Sequence, residues 1–80
     1  MSFETFDLSA LPVGGRGIIT QVNANGIEKT RLTDLGFSPA MEVKALFKSP
    51  SGNQTAYEIM GAVLALRNED AGKITIRKNA

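Results

Sequence analysis

The chain has no cysteine, no histidine and no tryptophan in its 80 residues. Without cysteine, neither a disulfide nor a thiolate metal site can reinforce the core. A core at this length removes only about 60% of the unfolded chain's surface from water. Without histidine, the commonest general base, the commonest metal ligand and the usual pH switch are lost together. An excess of one charge is missing too: nine basic and eight acidic residues leave a net charge of +1. Phosphate neutralisation supplies most of a nucleic-acid binder's affinity, and interspersed charges offer no basic stripe for it. Nucleic acid is therefore not an expected partner. The longest apolar run, Met60 to Leu66, is seven residues, against about 20 for a membrane-spanning helix. The leading MSFETFDLSA carries Glu4 and Asp7 and no basic residue, unlike a secretory signal. Together with the lack of cysteine, this makes a cytoplasmic address the expectation.

What is present is one domain held by its 42% hydrophobic residues. The strongest local signals run from Asn25 to Val43, NGIEKTRLTDLGFSPAMEV. Asn25 stands as an N-cap, with Glu28 where a capping-box acid reaches back to the cap. Ile27, Leu32 and Leu35 fall within one arc of a helix, leaving Lys29 and Thr33 towards water. Gly36 takes the left-handed position after the helix, which pairs Leu32 with Phe37 across a Schellman motif. Pro39 follows where a helix must not restart.

Before the helix, Pro12 and Gly14-Gly15-Arg16-Gly17 make a turn. The glycines lack a P-loop's lysine and hydroxyl, and they feed a strand rather than a helix N-terminus. That strand, Gly17 to Val22, puts Ile18, Thr20 and Val22 on one face and Ile19 on the other, so either a bulge or burial on both faces is expected. After the helix, Met41 to Lys48 alternates, with Met41, Val43, Ala45 and Phe47 inward and Glu42, Lys44, Leu46 and Lys48 outward. SPSGN turns the chain into a second strand, Thr55 to Met60, with Thr55, Tyr57 and Ile59 on one face. Gly61 bends it into Ala62 to Arg67. Asn68 to Ala71 is one helical turn with acids at its start, and Lys73 to Arg77 closes the chain.

The expected fold is mainly β: a small SH3-like barrel of about five short antiparallel strands, with one helix after the first. The whole chain, 1–80, makes a single domain. The expected core is Leu11, Val13, Ile18, Val22, Leu32, Leu35, Phe37, Met41, Val43, Phe47, Tyr57, Ile59, Leu64, Leu66, Ala71, Ile74 and Ile76.

TRLTDLGFSPAMEVKAL, the turn SPSGN and the ending LALRNEDAGKITI together resemble the FeoA family, small cytosolic companions of the bacterial ferrous-iron transporter. The matching elements are Leu35-Gly36, Pro39, the strand Met41 to Lys48, Pro50-Ser51-Gly52, Leu64 to Arg67, Glu69-Asp70-Ala71 and Ile74 to Ile76. The resemblance runs from Leu11 onward and itself implies the SH3-like barrel. It also implies a contact with the transporter FeoB, and it alone carries any implication of transition-metal binding. One position departs: the family has Pro-Gly where this chain has Pro39-Ala40. Alanine at positive φ is costly, so a type I turn is expected there.

Without His or Cys a nucleophile–base pair would need Ser/Lys or carboxylate arrangements that nothing in the sequence places together, and an enzyme is not expected. No cofactor is expected either. The carboxylates, Glu28, Asp34 and Glu58 among them, lie without metal-motif spacing, and Fe²⁺ favours imidazole beside carboxylate. The expectation is an interaction module. Leu46, Met60 and Val63 fall opposite their strands' core residues and form an apolar contact patch rimmed by Lys44 and Lys48. The alternative is an SH3-like peptide binder or a repressor-accessory type of regulatory domain. Against it, no tryptophan is available and Phe37, Phe47 and Tyr57 are assigned to the core, leaving no aromatic groove. An apolar outer face also leaves a homo-oligomer open.

Overall fold

A computed structural model describes residues 4–78. In order they form β1 (Thr5–Asp7), a 3₁₀ turn (Leu8–Ala10), β2 (Arg16–Val22), α1 (Gly26–Asp34) and β3 (Glu42–Lys48). Then come β4 (Gln54–Ile59), β5 (Ala62–Arg67), α2 (Asn68–Ala71) and β6 (Ile74–Lys78). All strands pair antiparallel in one sheet of order β1-β6-β2-β3-β4-β5. The fold is mainly β, as expected, with two differences. Thr5–Asp7 adds a strand that three residues of alternation are too few to reveal. The sheet also stays open, because β1 and β5 are not paired to each other.

One face of the sheet holds the core. Leu8, Phe37, Val43, Ile74 and Ile76 are fully buried there, and Leu11, Ile19, Tyr57 and Ile59 nearly so. The Phe37 and Tyr57 rings meet edge to face at 6.3 Å, a geometry that suits the ring quadrupoles. The Tyr57 hydroxyl points at the Leu8 carbonyl, 3.5 Å away. Burial pushes this phenol's pKa above its usual value.

Two bulges decide which residues join that core. In β2 the register against β6 shifts between Ile19 and Gln21. Thr20 is the extra residue, so Ile19 and Val22 both face inward and Ile18 is only half-buried. In β3 the register against β4 shifts between Ala45 and Phe47, with Leu46 left over. A one-residue slip sends every later side chain to the opposite face. Phe47, expected inside, is 59% exposed.

The helix and its exit follow the sequence more closely. The Phe37 N–H bonds the Leu32 carbonyl and the Gly36 N–H bonds that of Thr33, both at 3.0 Å. These are the two bonds of a Schellman motif, with Gly36 at φ +111°. The start of the helix differs. Asn25 makes no side-chain cap bond, and Glu28 accepts instead from the Lys73 ammonium at 2.6 Å. Ile27 and Leu35 are exposed while Leu32 is buried. At 100° per residue those three span about 140°, and only the Leu32 edge of that arc meets the sheet. Val13, expected in the core, is also exposed; it lies in the turn leading to Gly14, whose N–H is held by the Ala45 carbonyl at 2.7 Å.

The turn after the helix corrects another expectation. Met41 N–H bonds the Ser38 carbonyl at 3.2 Å, and Ala40 sits at φ +76°. Positive φ at this third position marks type II, not type I. Alanine thus occupies a conformation that glycine enters freely and other residues at a cost of about 1–2 kcal/mol. The neighbouring backbone enforces it: the Ala40 N–H bonds the Ile19 carbonyl at 2.8 Å, and the Met41 carbonyl accepts from the Ile19 N–H at 2.9 Å.

A candidate interaction surface

The outer face of β3, β4 and β5 is built by cross-strand ranks. Arg16 pairs with Lys44, Lys44 with Glu58 and Glu58 with Val63, giving one charged rank that ends in an apolar residue. The next rank is Phe47, Ala56 and Ala65. Ala56 is buried in the middle of it, though it faces away from the core. Phe47 and Val63 remain more than half exposed, so this face carries an apolar strip with cations along one side.

The expected patch is thus partly assembled. Lys44 and Val63 share a rank through Glu58. Leu46 is the bulged residue and is half-buried. Lys48 stands opposite Thr55, whose other neighbour is the inward Leu66, so it belongs to the opposite parity from Lys44. Met60 is in the two-residue turn between β4 and β5, 72% exposed at φ +52°, followed by Gly61 at φ +79°. Positive φ at both positions defines a type I′ turn, which tightens the hairpin instead of bending a barrel corner. The Met60 sulfur leans back to within 3.3 Å of where a Cβ on Gly36 would stand. It also lines a shallow cleft with Arg16, Lys44 and Glu58.

Phe47 and Ala65 are the members that sequence reasoning missed. Two large apolar residues side by side, Leu46-Phe47, break the alternation of β3 and were the available sign of a bulge. Phe47 also leaves the core set that had been held against an aromatic peptide groove, but it is the one exposed aromatic among the described residues.

Other features are structural. Among the described residues no group of three or more histidines, cysteines, aspartates or glutamates is placed to hold a metal ion. The Lys73–Glu28 bond ties the first turn of α1 to the approach to β6, and it raises the lysine pKa. Arg67 and Glu69 face each other at 3.6 Å, both well exposed, a pairing worth little in water. Among the described residues no helix is long and apolar enough to cross a membrane.

Comparison with known proteins fits this architecture. The FeoA domain model matches residues 6–78. The chain belongs to the FeoA family. A relative in Porphyromonas gingivalis, an Fe(2+) transport protein A/Fe(2+) transporter FeoB fusion protein, is 30% identical over 69 residues. That match covers 86% of this chain and 8% of the fusion protein, so the chain spans a small part of that relative's length. The solution structure of FeoA from Chlorobium tepidum superposes with a TM-score of 0.87 at 32% identity, covering 94% of this chain and 71% of that one. A zinc complex of Stenotrophomonas maltophilia FeoA, described as a prokaryotic SH3 domain protein, gives 0.74 at 27% identity. It covers 89% of this chain and 88% of that one. The FeoA fold is thus SH3-like, and the family ties the chain to ferrous iron transport.

Proposed function

We propose that this FeoA-family chain is a non-enzymatic, cytoplasmic accessory and regulatory protein of ferrous iron uptake, acting by contact with a FeoB-type transporter. One observation carries the reading: in the Porphyromonas gingivalis relative, the A-type domain and FeoB are parts of one polypeptide. Fusion holds two domains at high effective concentration. A separate chain must reach the same neighbour through a surface, and the exposed strip of Phe47 and Val63 with half-buried Leu46 and Lys44 has the composition of a contact face. Met60 extends it at the turn. Lys48, on the opposite parity of β3, stands outside this strip. Nothing in the proposal calls for a cofactor.

The test is capture of the detergent-solubilised transporter from membranes of the source cell on immobilised protein. Phe47→Asp and Leu46→Asp are expected to cut the captured transporter about tenfold, which is about 1.4 kcal/mol of contact. The Phe47 variant should keep the wild-type melting curve. Capture at the wild-type level by both variants would remove the strip from the interface. Absence of the transporter from the wild-type capture would remove the partner.

A further inference from the structure

We infer that the free edge of β5 is a self-pairing site, on which a second copy of this chain adds its own β5 antiparallel to form a continuous sheet. The phase of the β4–β5 ladder decides which backbone groups are available. In a two-residue hairpin the closing pair, here Ile59 and Ala62, exchanges both of its hydrogen bonds, and bonded pairs then alternate with non-bonded ones. Ala62, Leu64 and Leu66 are therefore spent on β4. The Asn68 N–H bonding the Asn53 carbonyl at 3.0 Å is the next bonded pair and confirms the phase. The N–H groups of Val63, Ala65 and Arg67, and the carbonyls of Val63 and Ala65, point away from the sheet. Among the described residues nothing in the chain bonds to them.

Edge strands normally carry a device against pairing: a short length, a lysine, a proline or a bulge. The other edge of this sheet has two, since β1 is only Thr5–Asp7 and ends in a carboxylate. β5 has none. It is six residues, AVLALR, paired to β4 without a register shift. An exposed row of alternating main-chain donors and acceptors is satisfied best by another extended main chain.

Self-complementarity argues for a second copy. Antiparallel pairing about a two-fold axis at Ala65 sets Ala65 against its own copy and Val63 against Arg67 of the other chain. The two small side chains at the axis leave the strands free to approach. The two Arg67 residues lie at opposite ends of the junction and do not repel. Each guanidinium instead crosses Val63 towards Glu58, the next residue in that rank, so opposite charges meet. The junction would also extend the outer apolar strip, because Val63 and Ala65 already belong to it.

Sedimentation equilibrium of the purified full chain over a dilution series tests this without the transporter, so its outcome is separate from that of the proposed function. A monomer–dimer equilibrium is expected, with amide exchange at Ala65 and Arg67 slowing as concentration rises. Ala65→Pro removes an edge N–H that β4 does not use, so the fold survives and circular dichroism stays unchanged. The lost bonds at the two-fold should raise the dimer dissociation constant about 30-fold. Arg67→Glu should weaken the dimer, and adding Glu58→Arg to it should restore the association. A chain monomeric throughout the series overturns the inference. So does a dimer whose dissociation constant is unchanged by Ala65→Pro, or one whose slowed amides lie elsewhere.

Discussion

Phe37 and Phe47 stand ten positions apart, and the first is fully buried while the second is 59% exposed. Hydrophobicity does not separate them. Phe37 is aimed by a closed backbone motif: the Gly36 left-handed turn and two hydrogen bonds onto the last helical carbonyls leave its side chain one direction. Phe47 is aimed by strand parity, which a single inserted residue reverses. The contrast shows that a residue fixed by a local hydrogen-bonded motif is read reliably from sequence. A residue fixed by register depends on everything paired before it.

The largest test of that contrast is removal of each ring. Phe37→Ala should cost about 3–5 kcal/mol, as for other buried phenylalanines, seen as a collapse of the urea midpoint. Phe47→Ala should move the midpoint by no more than about 0.5 kcal/mol, as at other surface positions. Equal losses would mean that Phe47 is core. Next comes the motif that aims Phe37. Gly36→Ala forces a Cβ into φ +111° and to 3.3 Å from the Met60 sulfur, and should destabilise by about 1–2 kcal/mol. The reverse change in the following turn should help. Ala40→Gly relieves the strain at φ +76° but frees the unfolded chain, for a net gain of about 0.5–1 kcal/mol. A loss there would show that the turn is not type II in solution.

The smallest effect is on pH. Tyr57, held against Phe37, has its pKa raised by burial, and Lys73 has its own raised by the bond to Glu28. Both native values lie above the unfolded ones, so the native state keeps its protons longer. The stability each contributes is complete below their ordinary values of about 10 and is lost as pH rises through the raised ones. No histidine is present, so urea midpoints from pH 6 to 9 should be nearly flat, with a decline beyond. A step near neutrality would contradict this.

The same division explains what the sequence disclosed. The helix C-terminus, the Ser49–Asn53 turn and the strands flanking it were legible, because glycine, proline and period-two alternation act over a few residues. The bulge in β2 was signalled by Ile18 and Ile19 side by side, but the one at Leu46 was not anticipated, since an extra residue looks like any other until its partner strand is known. The two bulges account for Ile19 lying inside and Phe47 outside. Leu35 and Val13 were misplaced for another reason: apolar character fixes what can be buried, while the sheet's extent fixes how much room there is. Of the candidate surface, Lys44, Leu46 and Val63 were found from parity. Phe47, its most exposed aromatic, was hidden by the bulge that brings it there.

Tyr57 is the chain's one tyrosine, and no tryptophan is present to mask it. The tyrosine absorbance band and tyrosine emission therefore come from a single ring at the centre of the core. That makes the native protein self-reporting. Any event that loosens the packing around Phe37 changes one optical signal, whereas an event confined to the outer strip leaves it still.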